Sequence, residues 1–206
     1  MDWSLYLVTD SGLAGGRSLE EIVRAALEGG VGVVQYREKS ASTRAMVEQA
    51  SILARLCREK GACFLVNDRL DVALAVDADG VHLGQDDMPP FTARKLLGPG
   101  KLVGVTVHNE EEIAAAESRG ADHLSLAPVF ATSTKKDHQA PLGTEGLRKL
   151  VEQCRLPTVA IAGINASNAS RVMAAGVGGI CVASAVVGAE DPRRAAQELH
   201  GIVRNR

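Results

Sequence analysis

The feature that most limits the fold of this chain is an alternation, repeated from end to end, of short apolar runs with segments of helical period. Candidate strands fall at Leu5–Thr9, Val31–Tyr36, Cys63–Val66, Gly80–Leu83, Leu102–Val105, His123–Ala127, Thr158–Ala162 and Gly179–Ala183. Between them, apolar residues recur at helical spacing over Ser18–Gly29, Thr43–Lys60, Glu110–Gly120, Glu145–Cys154, Ala166–Gly176 and Pro192–Val203, with shorter pieces at Leu70–Val76 and Phe91–Leu97. Ser18 stands where an N-cap belongs, Glu21 follows three residues later, and Gly29-Gly30 closes that segment.

Eight strand–helix units in 206 residues leave about 26 residues for each, near the small end for a (β/α)8 barrel. This α/β fold, a TIM barrel, is the expectation. An open doubly wound sheet is the alternative, and the strand count favours the barrel. No Pro/Ser-rich linker or block of charge divides the chain, so residues 1–206 are expected to form one domain, with Gly12–Gly16 as the first loop after a strand.

Composition acts by exclusion. A content of 46% hydrophobic and 23% charged residues is ordinary for a globular domain. A net charge of -2 argues against a nucleic-acid or membrane surface, so any basic site must be local and enclosed. Cys57, Cys63, Cys154 and Cys181 show no C-x-x-C spacing and read as reduced structural thiols. Met1-Asp2-Trp3 runs straight into an apolar strand, with no basic leader and no membrane-spanning stretch. A cytoplasmic protein is expected, and self-association into a homo-oligomer is left open.

Polar residues collect where the strands end. Gln35-Tyr36-Arg37-Glu38-Lys39 follows one apolar run, and alternation along an extended chain puts Gln35, Arg37 and Lys39 on one face. Asn67-Asp68, Gln85-Asp86-Asp87, Thr106 with His108, Thr132-Ser133-Thr134-Lys135, Gly163 and Ala183-Ser184 close other runs. In a barrel these ends share one mouth, where active sites lie.

The charges narrow the ligand. Arg37, Lys39 and Lys135 bring positive charge, while Asp68 and Asp87 bring carboxylates that would repel a bare phosphate. Mg²⁺ held by Asp68 and Asp87 reconciles the two, because it prefers oxygen ligands and bridges carboxylates to phosphates. The bland alternative pairs each Asp locally, with a neighbour such as Arg69, or uses it to cap the next helix. Small residues in Ile161-Ala162-Gly163-Ile164 and Val182-Ala183-Ser184-Ala185 suit a second phosphate site after the last two strands, or simple turns. Ala131–Gly143 is long for its place and reads as a flap that closes over substrate, or as disorder without function. His82 and His108 are acid/base candidates for which a hydrogen-bonded structural role is equally suited.

Tyr6-Leu7-Val8-Thr9-Asp10, the Gln35–Lys39 pentad, Asn67-Asp68-Arg69, Gly80-Val81-His82-Leu83-Gly84-Gln85-Asp86-Asp87 and Pro128-Val129-Phe130-Ala131-Thr132-Ser133-Thr134-Lys135 together resemble the thiamine phosphate synthase family through nearly the whole chain. The resemblance implies a (β/α)8 barrel joining 4-amino-2-methyl-5-pyrimidinylmethyl diphosphate to 4-methyl-5-(2-phosphoethyl)thiazole, with thiamine monophosphate and pyrophosphate as products. It implies that Gln35, Tyr36, Arg37, Glu38 and Lys39, completed by Asn67, Thr106 and Lys135, contact the pyrimidine diphosphate. Asp68 and Asp87 would hold Mg²⁺. Thr132, Ser133, Thr134, Gly163, Ala183 and Ser184 would bind the thiazole phosphate. The implied mechanism is dissociative, with Arg37, Lys39 and Lys135 stabilising the leaving group; Lys135, arriving with the flap, is further expected to couple closure to ionisation.

Five positions depart from the family pattern. Thr106-Val107 replaces Ser and a small residue, Ala131 a usual Pro, and Ala162 and Ala127 usual glycines. Two alternatives therefore stand beside the synthase: a TenI-type thiazole tautomerase, with His108 at the matching location, and a non-catalytic barrel that binds thiamine phosphates. Asn67, Asp68, Asp87 and Lys39 favour the synthase, since a tautomerase has no diphosphate to ionise.

Overall fold

The computed structural model describes residues 1–132 and 140–205. Strands β1 (Leu5–Val8), β2 (Val33–Tyr36), β3 (Cys63–Asn67), β4 (Gly80–Leu83), β5 (Leu102–Val107), β6 (His123–Leu126), β7 (Thr158–Ile161) and β8 (Gly179–Val182) pair in sequence order and in parallel. β8 pairs back onto β1, with Leu7 opposite Val182, so the sheet closes into a TIM barrel and the open-sheet alternative is excluded.

Strict alternation of side chains builds two cores from these strands. Leu5, Leu7, Val34, Tyr36, Phe64, Val66, Val81, Leu83, Leu124 and Leu126 pack in the larger core, shared with the helices. Their neighbours Tyr6, Val8, Val33, Cys63, Leu65, Val159 and Cys181 form the smaller cluster inside the barrel. All four cysteines are free thiols, three of them buried. Among the described residues no helix is long and apolar enough to cross a membrane.

Helix ends follow the expected chemistry. α1 (Leu19–Glu28) starts at Ser18, whose hydroxyl accepts from the Glu21 N–H while Glu21 returns the bond to the Ser18 backbone. α2 (Thr43–Lys60) is capped by Ser42 and ends at Gly61, whose φ of 69° a side chain would resist. α3 (Leu70–Ala75) and α4 (Pro90–Leu97) are short, as their patterns predict. α5 (Glu110–Ser118) is capped by Asn109, and α6 (Gly143–Gln153) precedes β7.

Several boundaries move, each for a local reason. The Val31 N–H bonds back to the Ala26 carbonyl, so Val31 belongs to the turn after α1 and β2 begins two residues later. β5 runs to Val107 because Thr106 and Val107 still pair with Ser125 and Leu126. α7 (Ala169–Met173) is shorter than Ala166–Gly176, since Asn165 and Asn168 side chains spend themselves on a turn ahead of it. A one-turn helix, α8 (Ser184–Val187), precedes α9 (Pro192–Arg204) and has no counterpart in the sequence reading.

Candidate active site

The C-terminal strand ends surround a cavity of about 350 Å³. On the β2 side, the Arg37 N–H donates to Thr9 Oγ1 at 3.0 Å and its guanidinium pairs with Asp10 at 2.9 Å, so the end of β1 sets this arginine before any ligand arrives. Lys39 Nζ reaches Asp68 Oδ2 at 2.5 Å. Gln35, buried deeper, donates to the Tyr6 hydroxyl at 2.7 Å. Gln35, Arg37 and Lys39 all line the cavity, as alternation requires.

The same alternation removes the side chains of Tyr36 and Glu38 from it. Tyr36 packs outward in the helix-facing core. Glu38 accepts from the Ser11 and Ser40 hydroxyls and from the N–H groups of Lys39, Ser40 and Ala41. Partial burial pushes its carboxyl up, but the Ser40, Ser11 and Lys39 bonds outweigh that and bring it down to about 2. Glu38 therefore organises the loop that carries Lys39, and neither Tyr36 nor Glu38 lines the cavity.

β3 delivers Asn67 and Asp68 to the cavity, and Asp68 sits at a φ of 58°. Asp68 does not pair with Arg69, which bonds Asp71 and Thr43 instead. Asp87 accepts from the Gly84 N–H at 2.7 Å and lies beside Asp68. Burial first, and then the Asp68 carboxyl, push Asp87 above the ordinary carboxylate range. Neither Asp caps a helix: the N-cap positions of α3 and α4 are Arg69 and Pro89, both without a side-chain cap bond.

Thr106 lines the cavity from β5, with His82 Nε2 at 2.8 Å from its hydroxyl and Gln85 Nε2 donating to its carbonyl at 2.7 Å. His108 also lines the mouth, but its Nδ1 is 2.8 Å from Glu112 of α5. The opposite wall is made of Ala162, Gly163, Ala183 and Ser184, with Thr132 nearby. Ala162 and Gly163 both have positive φ, 87° and 66°, so an expected glycine position holds an alanine in left-handed backbone. The Phe130 N–H bonds the Ala162 carbonyl and Asn168 the Gly163 carbonyl, which fixes this turn. Ser133, Thr134 and Lys135, and with them most of the expected flap, lie outside the described residues.

Four contributors escaped the sequence reading: Thr9 and Asp10, which set Arg37, and Tyr6 and His123, which lie inside the barrel. Thr9-Asp10 closes a strand just as the other polar groups do, and that rule would have found it.

A barrel with fixed cations and paired carboxylates on one wall of its mouth, and a tight small-residue turn on the other, is of the class of TIM-barrel enzymes that handle anionic small molecules. The family model described as thiamine monophosphate synthase (TMP-TENI) matches residues 5–186. The thiamine-phosphate synthase of Chloroflexus aurantiacus is 55% identical over 203 residues, 98% of this chain and 94% of that protein. That of Pyrococcus furiosus is 50% identical over 199 residues, covering 97% and 94%. The solved thiamine phosphate pyrophosphorylase of Pyrococcus furiosus superposes with a TM-score of 0.90 at 48% identity, over 98% of this chain and 96% of its own. The chain belongs to the thiamine-phosphate synthase family of transferases.

Proposed function

We propose that this chain joins 4-amino-2-methyl-5-pyrimidinylmethyl diphosphate to 4-methyl-5-(2-phosphoethyl)thiazole, giving thiamine monophosphate and pyrophosphate. The observation that supports the reading is that one cavity has two unlike walls: Arg37 and Lys39 beside Asp68 and Asp87, and the Ala162-Gly163 and Ala183-Ser184 turns facing them. One diphosphate and one monophosphate need that division.

The bond between the pyrimidinylmethyl carbon and the diphosphate oxygen breaks first, and its electron pair leaves with pyrophosphate. The thiazole nitrogen then donates its lone pair to the resulting cation. Negative charge grows on the departing oxygen, so cations already fixed in place favour the transition state over the ground state. Asp10 holds Arg37 for this purpose, and the Glu38-organised loop presents Lys39. Gln35, Asn67 and Thr106 line the deeper part of the cavity, where the pyrimidine ring would sit.

Asp68 and Asp87 are oxygen donors that lie side by side, a set that fits Mg²⁺. Bound there, Mg²⁺ would neutralise charge on the leaving group. Lys39 then exchanges Asp68 for a diphosphate oxygen. The reading includes one domain working in the cytoplasm on two small-molecule substrates.

The test is incubation with both substrates at saturation, with and without Mg²⁺, following thiamine monophosphate. Product that depends on Mg²⁺ supports the reading, and no product in its presence overturns it.

A further inference from the structure

Behind Thr106 runs a line of polar side chains, His82 and His123, to which the reaction above gives no part. His123, at the start of β6, is wholly buried, its ring centroid 4.3 Å from that of Trp3. Its Nε2 lies 3.4 Å from His82 Nδ1, and His82 Nε2 lies 2.8 Å from Thr106 Oγ1. Gly104 stands between the two rings, in register with His82 on one side and His123 on the other. A Cβ at position 104 would overlap His123 and approach His82 Nδ1 to 2.5 Å, so the missing side chain is what lets the imidazoles meet.

The direction of this chain follows from one orphaned atom. His123 Nδ1 is buried without a hydrogen-bond partner among the described residues. Folded proteins tolerate an unsatisfied acceptor better than an unsatisfied buried N–H, so the orphan is the lone pair and the proton sits on Nε2. Burial, then the neighbouring His82, hold His123 well below the ordinary imidazole range and keep the ring neutral. Nε2–H of His123 therefore donates to His82 Nδ1. His82 must carry its own proton on Nε2 and donate it to Thr106. The threonine oxygen, now an acceptor on the buried side, has its hydrogen left for an acceptor in the cavity that it lines.

We propose that His123 is a positioning residue that acts through His82 to fix Thr106 as a hydrogen-bond donor to the pyrimidine diphosphate. The inference deepens the synthase reading and rests on it for the identity of the substrate. It selects for a ligand that places an acceptor, a ring nitrogen or a phosphate oxygen, opposite Thr106.

The first arm of the test needs no turnover. Nitrogen-15 NMR of the histidine rings in the full chain should show His82 protonated on Nε2 and bare on Nδ1, and the opposite tautomer overturns the proposal. In His123→Phe the preference should weaken to a mixture. The second arm is kinetic. His123→Phe should lower kcat/KM for the pyrimidine diphosphate about tenfold, as expected for one misdirected hydrogen bond, with KM for the thiazole phosphate unchanged. His123→Gln, whose amide N–H can replace the Nε2 donor, should recover most of the loss.

In a Thr106→Val background the His123→Phe change should have an effect of less than about twofold, since coupled residues are not additive. Full additivity, or equal loss for both substrates, overturns the proposal. If the wild-type chain forms no thiamine phosphate, the synthase reading fails while the tautomer measurement still judges the relay.

Discussion

In the proposed reading, the two walls of the cavity hold anions by opposite means. The wall from β2 to β4 uses formal charge, and each cation already has a carboxylate partner, Arg37 with Asp10 and Lys39 with Asp68. The wall from β7 and β8 has no charged side chain at its turns, and after β7 Ala162 and Gly163 stand at left-handed φ, which would let backbone approach a ligand. Partnered charges are fixed before substrate binds and meet the charge that grows as a bond breaks. A backbone turn grips a group whose charge does not change. The first wall should therefore govern kcat and the second KM.

Removing a cation from the charged wall should have the largest effect. Lys39→Ala and Arg37→Ala should each lower kcat by about 10² or more, the usual loss of a preorganised charge-stabilising donor. Single-turnover rates would separate chemistry from product release. A raised KM with kcat intact would break the contrast, because the charged wall would then only bind.

Gly163→Ala probes the other wall. An added Cβ would lie 2.7 Å from both the Ala131 carbonyl oxygen and Phe130 Cβ, and the φ of 66° resists a side chain. KM for the thiazole phosphate should rise roughly tenfold while that for the pyrimidine diphosphate stays put. Equal effects on both substrates would show that the walls do not divide the labour. The neighbouring Ala162 tests the same backbone from the other side. Ala162→Gly should stabilise the fold by about 1 kcal/mol, the left-handed penalty less the added freedom of the unfolded chain. Urea unfolding would measure it, and a destabilisation would show that the methyl group has packing that outweighs its strain.

Much of this was legible because the barrel uses alternation so strictly. Leu5 and Leu7 face helices while Tyr6 and Val8 face inward, and the same parity carries Gln35, Arg37 and Lys39 into the mouth. Tyr36 and Glu38 were assigned by membership in a resembling pentad, and the parity that places their neighbours sends them elsewhere. His123 was not legible at all. Its role needs the register that sets Gly104 between two strands, and no local pattern of residues contains that register. α8 is one turn long, too short for a helical period to declare itself.

The smallest effect belongs to Glu38, and it sharpens what the charged wall is made of. Its carboxyl, ordinarily near 4.5, is held at about 2 in the folded chain by the Ser40, Ser11 and Lys39 hydrogen bonds against the opposing effect of partial burial. Below pH 4.5 the unfolded chain takes up a proton that the folded chain refuses. The stability due to Glu38 is thus complete above about pH 4.5 and drains away as the pH falls towards about 2. The carboxyl is only partly buried and screened by solvent, so the contribution is modest. Glu38→Gln should be less stable than the wild type at pH 7, and the gap should close between pH 4.5 and 2 in urea unfolding. A gap that stays constant across that window would mean that the loop carrying Lys39 is held by shape and not by the charge of Glu38.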